Sequence, residues 1–224
     1  MSLQSKLDAF KADFKSGKPP YNAPAEIHPI MERATKALVE SGQASNALRA
    51  GEKAPIFSLS DQDGNMVSSN ELLKHGPLVI SFYRGVWCPY CNLELQALNE
   101  AYPTILQYGA SLLAISPQNM ANSRKSIRSN GLKFPVLNDQ GNQLADVFGI
   151  RYELPKYLVE LYKKLKNELP VFNNDSSWTL PIPARYVIGT DGTILYSEVN
   201  PDYTQRPEPE ELYPVLEKAS QLTA

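Results

Sequence analysis

The spacing of hydrophobic residues divides the chain into two regions. Apolar residues recur every three or four positions in two N-terminal segments, the pattern of amphipathic helices. They are Leu3, Leu7, Phe10 and Phe14 in the first segment, and Ile30, Met31, Ala34 and Leu38 in the second. Near Gly51 the pattern changes to alternation, and the turn sequence DQDGN between two such stretches predicts a β-hairpin. We therefore predict a helical extension over residues 1–50 and a separate domain over residues 51–224.

Continuous apolar runs alternate with a helical pattern in the middle of the chain. The runs PLVISFY and ASLLAIS predict two buried strands, and the segment from Cys88 to about Gln107 between them has helical periodicity. A strand, a helix and a second strand of this kind form a parallel βαβ unit with a right-handed crossover. Pro103 should kink this helix or start a new one.

The rest of the chain adds further helices and a second hairpin. We predict helices near residues 122–129 and 143–148, a short strand at FPVL, and one long helix over residues 154–169. The last of these has leucines on one face, at Leu154, Leu158, Leu161, Leu165 and Leu169. The sequence RYVIGTDGTILYSEV then predicts a hairpin, which a terminal helix around residues 210–220 follows. This order of elements is typical of a thioredoxin-like α/β sandwich with a central mixed sheet.

Composition and charge exclude several classes of function. The formal net charge is only -2, and the 22 basic residues are scattered, so we expect no nucleic-acid partner. No apolar run approaches the ~18 residues of a membrane span, and the N-terminus lacks the apolar core of a secretion signal. We expect a cytoplasmic protein without membrane contact. The two histidines, His28 and His75, lie far apart, so we expect neither a metal site nor another cofactor.

The strongest chemical signal is the stretch VISFYRGVWCPYCNLEL, which contains both cysteines of the chain. Cys88 and Cys91 fall in the first turn of a helix that follows a buried strand, with Pro89 at the first helical position. Backbone N–H groups and the helix dipole stabilise a thiolate there. Two thiols at this spacing can close a disulfide and so transfer two electrons. The alternative is a pair of buried, inert thiols.

Several motifs, taken in order, resemble those of one family. They are LRAGEKAPIFSLSDQDGN, LVISFYRG, LLAISPQN, FPVLNDQGNQLADVFGI and RYVIGTDGTILY. Together they resemble the peroxiredoxins of the alkyl-hydroperoxide-reductase and thiol-specific-antioxidant superfamily, over about residues 51–224. The resemblance implies a thioredoxin-type fold and a thiol peroxidase without cofactor.

The resemblance also implies roles for residues of the active-site turn. Laid without gaps on the family motif Pro-x-x-x-Thr/Ser-x-x-Cys, Cys91 takes the position of the peroxidatic cysteine and Glu94 that of an acidic residue. Cys88 replaces the threonine and Arg84 replaces the proline. On this register the Cys91 thiolate attacks the hydroperoxide, and Cys88 then condenses with the sulfenic acid to form a Cys88–Cys91 disulfide. An external donor, of the thioredoxin or the glutaredoxin and glutathione type, would reduce it.

Arginines are expected to support the thiolate. Arg185, six residues before Asp191, stands where peroxiredoxins have the arginine that supports the peroxidatic thiolate. A guanidinium favours the thiolate by its opposite charge and can hydrogen-bond the peroxide oxygens. Arg84 can do the same from the other side, and Glu94 can hold an arginine in place.

Two other readings of the turn stay open. As a thioredoxin or glutaredoxin motif, Cys-Pro-Tyr-Cys makes Cys88 the nucleophile of a protein disulfide reductase and Cys91 its buried partner. A non-catalytic redox sensor would use the disulfide to alter the N-terminal helices or a partner surface. The leucine-lined helix is an insertion relative to a minimal peroxiredoxin, and it is a candidate surface for a homodimer.

Overall fold

A five-stranded sheet lies at the centre of the computed structural model, which describes residues 1–221. Its strands are β3 (Leu78–Phe82), β4 (Ser111–Ser116), β5 (Val136–Asn138), β8 (Ala184–Ile188) and β9 (Ile194–Val199), in the order β5-β4-β3-β8-β9. The first three run parallel, and β8 and β9 are antiparallel to their neighbours. This confirms the predicted α/β fold with a mixed sheet. Residues 222–224 of the predicted domain lie outside the described residues.

Helices cover the sheet on both sides. They are α1 (Leu3–Lys15), α2 (Ile27–Glu40), α3 (Ser69–Leu73), α4 (Pro89–Gln107), α5 (Met120–Asn130), α6 (Gln143–Val147), α7 (Lys156–Lys164), α8 (Leu169–Asn173) and α9 (Tyr213–Gln221). None of these helices combines the length and apolarity needed to cross a membrane. Two short sheets complete the fold, formed by β1 (Ser58–Ser60) with β2 (Met66–Ser68) and by β6 (Arg151–Glu153) with β7 (Thr179–Pro181).

The βαβ unit has the form that its periodicity predicts. Strand β3 pairs in parallel with β4 over five residues, and α4 connects them. Every residue of β3 is buried, because both faces of the sheet are covered. Helix α4 continues through Pro103 to Gln107, so no new helix starts at this proline.

The predicted helix over residues 154–169 is wrong in its length. Helix α7 ends at Lys164, and Lys166 adopts a left-handed conformation with φ 57°. A second helix, α8, starts at Leu169 with Pro170 in its first turn. Leu165 is 39% exposed at the break, whereas Leu161 and Leu169 are buried. The leucine periodicity therefore records burial on both sides of a turn rather than one continuous helix.

The two N-terminal helices pack on the rest of the chain. Leu3 and Leu7 of α1 are buried in the same apolar cluster as Leu95 and Leu98 of α4. Helix α2 packs against α7, with Ala34 in the cluster of Leu158 and Leu161. Both helices thus lie close to the end of the sheet where β3 leads into α4.

Candidate active site

The loop between β3 and α4 is held by buried hydrogen bonds. Gly85 has φ 141°, and a Cβ there would lie 2.6 Å from the indole Nε1 of Trp87, so only glycine fits. The Val86 N–H donates to the Gln118 Oε1 at 2.8 Å, and the Cys88 N–H donates to the Gly85 carbonyl at 3.0 Å. These contacts fix the loop that presents the first cysteine.

Both cysteines are brought together at the start of α4. Cys88 is the N-cap and Cys91 lies in the first turn, with Pro89 at the first helical position as predicted. Their thiols are free and buried, and the two Sγ atoms lie 2.8 Å apart, with Cys91 donating to Cys88. The geometry suits a dithiol that closes to a disulfide.

The surroundings shift the two thiol pKa values in opposite directions. Burial opposes ionisation of Cys88, but the hydrogen bond from Cys91 and the charges of Arg84 and Arg206 outweigh it and lower the Cys88 pKa to about 6. For Cys91, burial, the hydrogen bond to Cys88 and the nearby Cys88 charge together raise the pKa well above its usual value. The surroundings therefore favour a thiolate on Cys88 over one on Cys91.

Arg84 lines the same groove as Cys88 and lies among aromatic side chains. Its guanidinium carbon lies 4.0 Å from the ring centre of Tyr203 and 4.9 Å from that of Trp87, within cation–π range. Its Nη2 donates to the hydroxyl of Tyr162. Its Nε is buried and has no hydrogen-bond partner among the described residues. Arg84 therefore carries a buried N–H donor without a partner in the described part of the chain, and its charge acts on the Cys88 thiol.

Glu94 joins two arginines behind the cysteines. Its carboxylate accepts from Arg185 Nη2 at 2.9 Å and from Arg206 Nε at 2.6 Å, and all three side chains are buried. Arg206 Nη2 lies 3.8 Å from Cys91 Sγ. Arg185 also donates to the Glu208 carbonyl at 3.1 Å. The structure thus links the predicted Arg185 to Cys91 through Glu94 and Arg206.

Sequence reasoning missed Arg206, Tyr162, Tyr203 and Gln118. Arg206 is 112 positions from Glu94 and belongs to no helix or strand. No periodicity of the sequence therefore indicates that it contacts Glu94. Tyr162 lies on the insertion helix α7, where its burial looks like ordinary packing. The one available signal was Glu94 itself, a carboxylate near the thiols that needs a cation if it is buried.

An open groove of about 730 Å³ leads to Cys88. Its walls include Phe10 and Phe14 of α1, Met31 of α2, and Trp87 and Tyr90 of the active-site turn. Cys88 lines the groove, whereas Cys91 lies behind it. Among residues 1–221, no group of three or more His, Cys, Asp or Glu side chains is placed to hold a metal ion.

Comparison with known proteins shows which family and which solved structures this chain is similar to. The model of the AhpC/TSA family matches residues 50–197. Wheat (Triticum aestivum) chloroplastic peroxiredoxin Q is 27% identical over 132 residues, which cover 59% of this chain and 60% of that protein. The thiol-disulfide oxidoreductase ResA of Bacillus anthracis is 26% identical over 123 residues, 54% of this chain and 70% of that protein. The crystal structure of peroxidoxin BcpB from Mycobacterium tuberculosis superposes with a TM-score of 0.60 at 20% identity, covering 79% of this chain and 99% of that one.

Proposed function

The chain belongs to the AhpC/TSA family, as its motifs predicted, and from that premise we propose that it is a thiol peroxidase in which Cys88 carries the attacking thiolate. One observation carries the proposal. Cys88 lines the groove and Cys91 does not, the two Sγ atoms lie 2.8 Å apart, and the surroundings lower the Cys88 pKa to about 6 while they raise the Cys91 pKa. In such a cycle a thiolate attacks the hydroperoxide, and a second thiol then condenses with the sulfenic acid that forms. The two cysteines are arranged for these two steps.

The cycle needs only a hydroperoxide and an external dithiol. The Cys88 thiolate attacks the outer oxygen of ROOH, the O–O bond breaks, and RO⁻ leaves and takes a proton to become an alcohol. Cys88 is then a sulfenic acid. Cys91 attacks its sulfur, a Cys88–Cys91 disulfide forms, and the oxygen leaves as water. The external dithiol reduces the disulfide by exchange and is itself oxidised.

Arg84 is the residue best placed to assist this attack. Its positive charge lowers the Cys88 pKa, and its unpartnered Nε can donate to a peroxide oxygen as negative charge develops there. Arg206, held by Glu94, reaches the Cys91 sulfur instead. It can stabilise Cys91 as that thiol loses its proton in the resolving step.

This assignment differs from the family register, which predicts Cys91 as the attacking residue. The register rests on counting positions from Phe82, whereas the pKa shifts and the groove favour Cys88. The roles of Cys91, Glu94 and Arg185 stay predictions that variants can test. The type of external reductant, the cytoplasmic location and the homodimer also stay predictions.

A second candidate function is disulfide exchange. The same low-pKa Cys88 can attack a disulfide, Cys91 can resolve the mixed disulfide, and the chain is similar to ResA. The groove volume of about 730 Å³ also exceeds what a small peroxide requires, so the groove has room for a larger disulfide substrate.

Peroxide and disulfide turnover distinguish the two functions. Reduced protein should consume hydrogen peroxide and organic hydroperoxides with a dithiol donor at rates well above that of free cysteine, with little insulin reduction. Rapid insulin reduction together with a peroxide rate near that of free cysteine would select disulfide exchange instead.

A further inference from the structure

We propose that Gln4 of α1 is a positioning residue that holds the Arg206 guanidinium beside Cys91. The Arg206 N–H donates to the Gln4 Oε1 at 3.1 Å, and the Arg206 Nη2 lies 3.8 Å from the Cys91 Sγ. Gln4 and Arg206 both lie outside residues 50–197, which match the family model. The inference rests on the proposed function for the step that this contact serves, whereas the contact itself can be tested without peroxide.

The Gln4 side chain binds two peptide groups of the Arg206 segment. Its Oε1 accepts from the Arg206 N–H, and its Nε2 donates to the Thr204 carbonyl at 3.3 Å. The Nε2 also donates to the Asp8 carboxylate of the next turn of α1 at 2.9 Å. An amide has one acceptor and two donors, and these three bonds use both kinds of group. They orient the amide so that its oxygen faces the Arg206 N–H.

Glu208 fastens α1 to the same segment. Its carboxylate accepts from the Leu3 N–H at 2.8 Å and from the Gln4 N–H at 3.1 Å. These N–H groups belong to the first turn of α1, where the helix itself offers no acceptor and a negative charge is favourable. Leu3 and Leu7 are buried in the apolar cluster that contains Cys91, so α1 is also held by packing. Helix α1 and residues 204–208 therefore form one unit next to the cysteines.

The ion pair with Glu94 does not make Gln4 redundant. Glu94 accepts from the Arg206 Nε at 2.6 Å and so fixes one side of the guanidinium, whereas the Nη2 that faces Cys91 depends on where the Arg206 backbone lies. A charge-assisted hydrogen bond is stronger than a contact of 3.8 Å to a thiol. If the backbone shifts, Arg206 should keep its bond to Glu94 and lose its contact with Cys91. A change at Gln4 should therefore act on Cys91.

The contact matters when Cys91 loses its proton. The Arg206 charge lowers the Cys91 pKa, against the larger effects of burial and of Cys88, which raise it. In the resolving step Cys88 is a neutral sulfenic acid, so its negative charge no longer opposes ionisation of Cys91. The Cys91 thiolate attacks the Cys88 sulfur, the S–S bond forms, the S–O bond breaks, and the oxygen leaves as water. Displacing Arg206 should slow this step.

Ionisation of Cys91 in a Cys88→Ser background tests the position of Arg206. Cys91 is then the one thiol of the chain, and the ultraviolet absorbance of its thiolate gives the midpoint of its titration. Gln4→Met keeps the length of the side chain and removes its hydrogen bonds, so it should raise the midpoint by roughly one pH unit. The matched control is Gln107→Met, at an exposed position at the end of α4, which should keep the midpoint.

A double-mutant cycle shows whether Gln4 acts through Arg206. In the same background Arg206→Met should raise the midpoint, and adding Gln4→Met should then change it little, because the group that Gln4 positions is gone. Circular dichroism checks that each variant is folded. If Arg206→Met does not fold, Arg206→Lys replaces it, because lysine leaves Glu94 a cation but lacks the fork that contacts Glu94 and Cys91 together.

A single turnover with hydrogen peroxide tests the step. With both cysteines present, Gln4→Met should form the Cys88 sulfenic acid at a rate within about twofold of wild type. It should close the disulfide about tenfold more slowly, the ratio that corresponds to one pH unit in the Cys91 midpoint. Mass spectrometry of acid-quenched samples follows both species, and Gln107→Met should match wild type.

An unchanged midpoint in Gln4→Met would overturn the proposal. A further rise of the midpoint when Gln4→Met is added to Arg206→Met would also overturn it, since the effect would then not pass through Arg206. Slower sulfenic acid formation with normal disulfide closure would overturn the link to the resolving step. Absence of peroxide turnover in wild type would instead overturn the peroxidase proposal, and the titrations would still decide whether Gln4 positions Arg206.

Discussion

Cys88 and Cys91 are the same chemical group three residues apart, yet their surroundings shift their pKa values in opposite directions. The N-cap position, the hydrogen bond from Cys91 and the charge of Arg84 favour a thiolate on Cys88. A proton cannot leave Cys91 easily while its buried neighbour is already negative. The family register predicted Cys91 as the attacking thiol, but position counting could not reveal that Cys88 is the cysteine that lines the groove.

The pH dependence of Cys88 tests this difference. Since its folded pKa is lowered to about 6, the thiolate should be present above pH 6 and lost as the pH falls through 6. The rate of alkylation by iodoacetamide in the reduced protein should follow that midpoint. Arg84→Met removes a charge that lowers the pKa, so the midpoint should move upward.

Arg128→Met, at an exposed position on α5, is the matched control and should keep the midpoint. A midpoint that stays near pH 6 in Arg84→Met, with native circular dichroism, would contradict the role given to Arg84.

At the scale of elements, hydrophobic spacing predicted the helices and strands that are determined by neighbouring residues in the sequence. The β3-α4-β4 unit followed from two apolar runs and one helical period. The prediction of one helix over residues 154–169 was wrong because the leucine spacing continues across a turn at Lys166, which only the backbone conformation reveals. The ion pair between Glu94 and Arg206 joins α4 to a distant segment without regular structure, so no local pattern could predict it.

Glu94 should stabilise the fold because it fixes α4 to β8 and to the segment of Arg206. Glu94→Gln leaves two buried guanidinium groups without their carboxylate, and should lower the free energy of unfolding by about 3–5 kcal/mol. Denaturant unfolding of reduced protein measures this loss.

Glu100→Gln, on the same helix at a carboxylate that is 72% exposed and pairs with Lys6 at 3.8 Å, should cost about 0–1 kcal/mol. If the two variants lose the same stability, the buried cluster does not hold the site together.

At the scale of the whole molecule, the N-terminal helices are part of both the core and the groove. The sequence predicts a separate extension over residues 1–50, and the family match begins at residue 50. However, Leu3 and Leu7 are buried in the cluster that contains Cys88 and Cys91. We therefore expect the extension and the domain to unfold together.

Leu7→Ala tests this coupling. Since Leu7 is fully buried, the variant should lose about 2–5 kcal/mol in one cooperative transition of the whole chain. Leu106→Ala, half exposed on α4, should lose much less. A separate early transition that involves only the N-terminal helices would show that the extension folds independently.

The attack of Cys88 on the peroxide is the central claim, and single-cysteine variants test it most directly. Reduced Cys91→Ser, mixed with hydroperoxide in a stopped-flow experiment, should react rapidly once and accumulate a Cys88 sulfenic acid, detected by trapping with dimedone. Cys88→Ser should react at a rate near that of free cysteine. Rapid sulfenic acid formation on Cys91 in Cys88→Ser, with a slow Cys91→Ser, would contradict the account and return the attacking role to Cys91.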